Sequence, residues 1–507
     1  MLHFTVLPAP PRRRRFVAVT RLLICFCTFL LSAPLFALES PAPIQLHDIH
    51  WEIEGRSRPV ALAWAAEIEG DETWPDEGTL ESWIIERKQL LMNQRVIDTV
   101  EITYRIYEVG EVILIDLDIQ IKDSFNIIAM PKPEYSSADG LDISIRARDY
   151  NFLGLLSPLK LNVGYALDDE NLQAFRLSEG TWYVDLETSL PIRLAGYDWE
   201  LSLLNSFAWT EDKVFQFSNR SAMGIALPLG PGNLLASLSQ GFYLNDNNGE
   251  YYVAEYGTYL EGWYLNTLAR LGYSLELVEL GKKNTPLVAT SVFSVNYSYL
   301  PGPGDIGDER RGPTLAVENS LSIERIDWLE NMRQGRGARL ALTIPYNIFE
   351  LMFKPVVSAT ATVHQPITSF MSLSGRIHAF HRFKDIDSSA GDPLRGVIRL
   401  RASSIASGNF DVNFRLFAFR PHQWFDKNWM RFMAFEFHSS LFFDLAWAHS
   451  RDDLNYESTN PWYACTGIEA VIYPEAFRSL FLRVSLGFDL ARFPDTREVY
   501  IGLGHHY

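Results

Sequence analysis

The stretch Phe435-Glu436-Phe437-His438-Ser439-Ser440-Leu441-Phe442-Phe443-Asp444-Leu445-Ala446-Trp447 alternates in character. One set is Phe435, Phe437, Ser439, Leu441, Phe443, Leu445 and Trp447; the other is Glu436, His438, Ser440, Phe442, Asp444 and Ala446. Successive side chains of a strand point to opposite faces, so one face is apolar and the other carries two carboxylates and a histidine. A sandwich strand with its apolar face in a core shows this pattern. So does a transmembrane barrel strand, apolar toward lipid and polar toward a wet lumen. The extent, roughly a dozen residues, suits a tilted membrane strand better than the usual five or six of a soluble one. Upstream lies a loop with one arginine, Gly391-Asp392-Pro393-Leu394-Arg395-Gly396-Val397.

Working outward, the chain of 507 residues has a formal charge of -17, and its one basic cluster is Arg12–Arg15. That balance argues against nucleic-acid binding. Of three cysteines, Cys25 and Cys27 fall in a segment predicted to be removed, leaving Cys465 with no internal disulfide partner. Residues 1–37 read as a secretory signal: Arg12–Arg15 and Arg21 form the positive region, and Leu22 to Leu31 the short apolar one. A lipoprotein signal through Cys25 or Cys27, or a retained anchor helix, are the other readings of this segment. Losing five arginines and no acid takes the formal charge from -17 to about -22. Beyond it no apolar run reaches about 18 residues, so a membrane crossing requires a closed barrel, which satisfies every backbone group in lipid.

Residues 44–123 are predicted to form a small α+β domain: a strand at Ile44 to Glu54, a helix at Pro59 to Ile68, a helix at Thr79 to Met92, then strands at Thr99 to Tyr107 and Glu111 to Ile121. In the last strand Ile113, Ile115, Leu117, Ile119 and Ile121 share the face that packs on the helices. From about Leu141 alternating segments recur, separated by tight Pro/Gly turns such as Leu229-Gly230-Pro231-Gly232-Asn233. Longer connections include Asn245–Glu250, Pro301–Arg311 and Ser450–Thr459. Short turns at one end and long loops at the other fit a membrane barrel over 141–507 with roughly 16 antiparallel strands. Aromatic residues, 13% of the chain, are plentiful enough for its interfacial girdles.

The order and motifs together resemble the BamA/TamA superfamily of POTRA-plus-barrel outer-membrane proteins, the bacterial surface antigen family. Residues 44–123 resemble one POTRA domain, with Arg87–Asn93 and Arg95-Val96-Ile97 similar to its second helix and the segment after it. Asp149-Tyr150-Asn151-Phe152-Leu153-Gly154 resembles the threshold of the family's barrel. Leu394-Arg395-Gly396-Val397 resembles the Val-Arg-Gly-Phe/Tyr tip of the loop that folds back into the lumen, and Phe442–Ala446 the Phe-x-Asp-x-Gly strand that receives it. Val397 stands where the family has an aromatic, Ala446 where it has glycine, and Arg415 about where a glutamate is common.

The resemblance implies a loop lock in which Arg395 and Gly396 meet Asp444, with Glu436 on the same face as a further partner. A guanidinium suits it, because its planar fork grips carboxylate in two places and keeps its proton; the alternative is an arginine on a solvated loop. His438 reads as a polar lumen residue. A second element is the barrel seam, where Glu498–Tyr507 closes against Leu141–Asp149. There Gly502 and Gly504 weaken the last strand, or only relieve crowding inside the barrel, and Tyr507 forms an aromatic end. An openable seam exposes a strand edge that templates an incoming strand.

No Gly-x-Ser-x-Gly, His-Glu-x-x-His or Gly-x-x-x-x-Gly-Lys motif occurs, so the expected work is mechanical, with no enzyme activity, metal or cofactor. The implied function is insertion, assembly or translocation of unfolded outer-membrane or secreted polypeptides at the outer membrane. The small domain would lie in the periplasm, with lipid bilayer and periplasmic accessory proteins as partners. The alternatives are a two-partner secretion pore and a passive porin or structural surface antigen.

Overall fold

The computed structural model describes residues 43–503 apart from 111, 137–139, 168–170, 172–173, 195, 210–213, 245–262, 281–284, 302–311, 385–387, 390–393, 398–399, 426, 450–460 and 493–496. The predicted signal at 1–37 lies outside these residues, as do Gly504, Tyr507 and most of the long connections quoted above.

The N-terminal unit runs β1 (Ile44–Glu54), a helix Pro59–Ala65, β2 (Thr73–Trp74), a helix Glu77–Asn93, β3 (Ile97–Val109) and β4 (Val112–Asp123). Proline opens the first helix, where its missing N–H costs nothing. The Asp76 side chain caps the second, accepting from the Thr79 N–H at 2.7 Å. The sheet order is β2-β1-β4-β3, with β1 parallel to β4 and β3 antiparallel to it. The apolar face of β4 (Ile115, Leu117, Ile119, Ile121) is buried against Leu62, Leu80 and Leu91 of the helices.

The barrel begins earlier than the alternation at Leu141 implied. Its strands are β5 (Ile127–Ser136), β6 (Gly140–Asp149), β7 (Leu159–Leu167), β8 (Thr181–Leu194), β9 (Tyr197–Trp209) and β10 (Phe215–Leu229). Next come β11 (Gly232–Leu244), β12 (Trp263–Leu280), β13 (Thr285–Tyr299), β14 (Pro313–Leu329), β15 (Met332–Asn347), β16 (Met352–Phe353), β17 (Val356–Pro366) and β18 (Met371–Arg382). The short pair β19 (Ser388–Ser389) and β20 (Arg401–Ala402) belongs to a loop, and β21 (Ser404–Phe419), β22 (Phe435–His449), β23 (Trp462–Pro474), β24 (Leu482–Asp489) and β25 (Arg497–Leu503) complete the wall. β16 and β17 both pair with β15, as two pieces of one staggered strand. The described residues thus form a closed antiparallel barrel of eighteen strands, against the roughly 16 expected. β25 closes on β5, not on Leu141–Asp149, which is the second strand. Outward positions are apolar and exposed, among them Leu271, Phe293, Leu340, Ile377, Leu441 and Ile501. This is the lipid-facing band of a transmembrane barrel.

The α+β unit is tied to one end of the barrel. Asn93 donates to Asp327 at 3.1 Å and accepts from the Trp328 N–H at 2.9 Å. Arg325 pairs with Glu86 at 2.6 Å. Arg95 lies over the Trp328 ring and donates to the carbonyls of Glu330 and Arg478. Burial and the neighbouring Arg478 pull its pKa down to about 10, which leaves it charged at neutral pH. On another flank, the Asp149–Gly154 turn meets the same unit. Asn151, fully buried, donates to Ser57 at 2.8 Å, and Gly154 accepts from the Arg58 N–H at 2.9 Å. Connections 230–231 and 330–331 at this end are short, whereas 383–403 enters from the opposite end.

Candidate functional site in the barrel lumen

β22 places its two residue sets as the alternation requires. Glu436, His438, Ser440, Phe442, Asp444 and Ala446 are buried toward the lumen, and Leu441, Phe443 and Leu445 are exposed outside. The loop between β18 and β21 descends into that lumen. It is anchored by an apolar cluster in which Leu394 and Leu400 of the loop join Ala402, Ile405, Ala446, Ala448 and Cys465, with Val397 packed against it. Val397 and Ala446, two of the three departures from the family pattern, are thus both packing residues.

Arg395 is the centre of the charged part. Its backbone N–H and Nε both donate to Asp444 Oδ2, at 2.9 and 3.0 Å, and Nη2 donates to Oδ1 at 2.7 Å. Asp411 on β21 lies 2.7 Å from Nη2 as an ion pair not aligned with an N–H. Glu469 on β23 lies 3.8 Å from Nη1. The guanidinium also stands 3.8 Å above the Phe442 ring, a cation–π contact strengthened by desolvation. Glu469 is shared with Arg483 on β24 at 3.5 Å. Three wall carboxylates therefore converge on the loop cation, with Arg483 beside one of them. Without the loop these buried carboxylates lose the cation they share, which favours keeping the loop inside.

The tip fits by shape as well. Gly396 has φ +112°, a conformation few side chains adopt, and a Cβ there would stand 2.9 Å from the Phe488 N. Opposite it, a Cβ on Gly487 of β24 would stand 2.7 Å from the Arg395 carbonyl. The Gly396 N–H donates to Glu498 of β25 at 2.6 Å. The loop tip thus touches the strand that closes the barrel.

Glu436 does not join this cluster. It is eight residues from Asp444, about 26 Å along a strand at ~3.3 Å per residue, so sharing a face does not bring the two together. It forms a separate knot near the α+β unit, bonded to Arg415, to Asn331 at 2.9 Å and to His438 at 3.4 Å. Arg415 also pairs with Glu330 at 2.6 Å. A polar cavity of about 40 Å³ lies between the two groups, with Arg333, Asp411, His438 and Glu469 in its lining. At the seam, Gly502 lies under the Tyr500 ring, since a Cβ would stand 2.1 Å from its hydroxyl, and that ring is 4.2 Å from the Arg483 guanidinium. Room for an aromatic ring accounts for this glycine.

Asp411, Glu469, Gly487 and Glu498 escaped the sequence reading. The first two carry a usable signal, an acid on the inward set of a strand; the two others need the register.

No protein-family model and no curated protein matches this sequence. Among solved structures, CdiB from Escherichia coli is similar at 13% identity, with a TM-score of 0.49 over 92% of this chain and 77% of that one. CdiB from Acinetobacter baumannii is similar at 12% identity, with a TM-score of 0.48 over 90% of this chain and 73% of that one. BamA from Haemophilus ducreyi, in a form lacking POTRA domains 1–3, shares 13% identity, with a TM-score of 0.35 over 91% of this chain and 84% of that one.

Proposed function

We propose that this chain is an outer-membrane barrel that moves or inserts unfolded polypeptide, secreted or membrane-bound, with its α+β unit acting as a single periplasmic POTRA domain. The observation that carries the proposal is the loop tip held in the lumen by Arg395 among Asp411, Asp444 and Glu469. The tip is held against the inner wall by ion pairs, an obstruction that can be released, which is what a translocation barrel needs of its resting lumen. Strands of the α+β unit offer backbone edges to an extended chain. The seam adds a second feature: it is the joint where the last strand, β25, meets the first, β5. In this reading a client strand is added at that joint and then released.

Planar-bilayer conductance of the purified chain and of Arg395→Ala tests the proposal. The wild type is expected to conduct rarely and the variant to open steadily. Equal, steady conductance of both would identify a passive porin. In cells, depletion followed by a census of outer-membrane and secreted proteins separates insertion from secretion. A disulfide across β25 and β5 with full activity would remove the seam from the mechanism.

A further inference from the structure

The two strands of the seam are not equivalent edges. β5 reads Ile127-Ile128-Ala129-Met130-Pro131-Lys132-Pro133-Glu134-Tyr135-Ser136 and pairs with β6 without a register shift. Which backbone groups of β5 face β6 is fixed by one bond. The Tyr150 N–H donates to the Asn126 carbonyl at 2.9 Å, one step beyond the Ile127–Asp149 pair. In an antiparallel ladder a residue turns its N–H and C=O to the same side, and successive residues alternate. Even-numbered residues of β5 therefore bond toward β6. In agreement, the Lys132 carbonyl accepts from Ser144 of β6. Odd-numbered residues bond toward β25. Pro131 and Pro133 are odd, and proline has no N–H. A proline on the β6 side would also break the continuous ladder seen there, so the two arguments agree.

We propose that β5 is a blocked edge and that β25 is the strand on which an extended polypeptide is received. This rests on the seam reading given above and specifies its polarity. Of the five outward-bonding positions of β5, namely Ile127, Ala129, Pro131, Pro133 and Tyr135, two consecutive ones lack a donor. A strand added to β5 would leave two of its own carbonyls unpaired where no water reaches, which a bilayer penalises heavily. β25, Arg497-Glu498-Val499-Tyr500-Ile501-Gly502-Leu503, has no proline and offers a donor and an acceptor at every outward position. It is also the strand that the loop tip holds through Glu498, so the receiving strand and the lumen plug are in contact.

The test uses the full chain in liposomes and a biotinylated ten-residue peptide of alternating valine and threonine. A photo-crosslinking residue replaces either Ile501 on β25 or Ala129 on β5, both exposed on the lipid face. The β25 yield is expected to exceed the β5 yield by about thirtyfold, from the loss of two backbone bonds. The double variant Pro131→Val, Pro133→Val restores both donors with residues that suit a strand. In it the ratio of the two yields should approach one. Heat-modifiable electrophoretic mobility reports that each barrel is folded. Equal yields in the wild type, or an unchanged ratio in the double variant, would overturn the polarity while leaving the seam reading intact. No cross-link at either strand would instead overturn the seam reading, and the polarity with it.

Discussion

Removing Asp444 and removing Arg395 should differ in cost, and the cluster says by how much. Both side chains are buried, at 0% and 4% exposure. Deleting one partner of such a pair costs about 3–5 kcal/mol through the charge left behind. Asp444→Ala leaves Arg395 with Asp411 at 2.7 Å and Glu469 at 3.8 Å, so its cost should lie near the lower figure. Arg395→Ala takes the central cation from Asp411, Asp444 and Glu469 together, so its cost should lie near the upper one. At ~1.4 kcal/mol per factor of ten, about 3 kcal/mol raises the population of loops outside the lumen roughly a hundredfold. Trypsin reads this population, because nicking follows the open fraction when opening is fast. Cleavage between Lys384 and Arg401 should therefore accelerate about a hundredfold in Asp444→Ala and further in Arg395→Ala. The double variant should cost less than the sum, since Arg395 is then removed from two carboxylates rather than three. Cleavage in Asp444→Ala within about twofold of wild type would refute the view that this pair holds the loop.

Gly487→Ala should release the loop without changing any charge, because the new methyl meets the Arg395 carbonyl. Expected are faster trypsin nicking of the loop and an otherwise intact barrel by heat-modifiable mobility. Asn93→Ala combined with Arg95→Ala should uncouple the α+β unit from the β14–β15 turn, seen as faster hydrogen exchange at 327–331 with little change in β22. The carboxyl of Asp76 is held below its usual range mainly by the Thr79 N–H. A lowered folded value means stability present above about pH 4 and lost as pH falls through the folded pKa. Asp76→Ala should accordingly flatten the acid limb of the unfolding curve of the α+β unit, measured by circular dichroism.

Local chemistry fixed much of what is seen. A period of two in 435–447 assigned every side chain of β22 to lumen or lipid, and the helical spacing of Leu80, Ile84 and Leu91 placed them in the core of the α+β unit. The first barrel strand was hidden because Pro131 and Pro133 erase the strand signal, although their positions suit an outer edge. The pairing of Arg395 with Asp444 followed from the motif resemblance. Placing Glu436 beside them failed, because face is set by parity along a strand while distance is set by how many residues separate two positions.

By itself the sequence determined which side chains turn inward, since alternation is a property of one strand and needs no neighbour. Closure did the rest. The register between strands brought Asp411, Asp444 and Glu469 from three separate segments around one guanidinium. The strand order turned the prolines of β5 toward β25. Both depend on backbone pairing between residues far apart in the chain, and no local pattern encodes that.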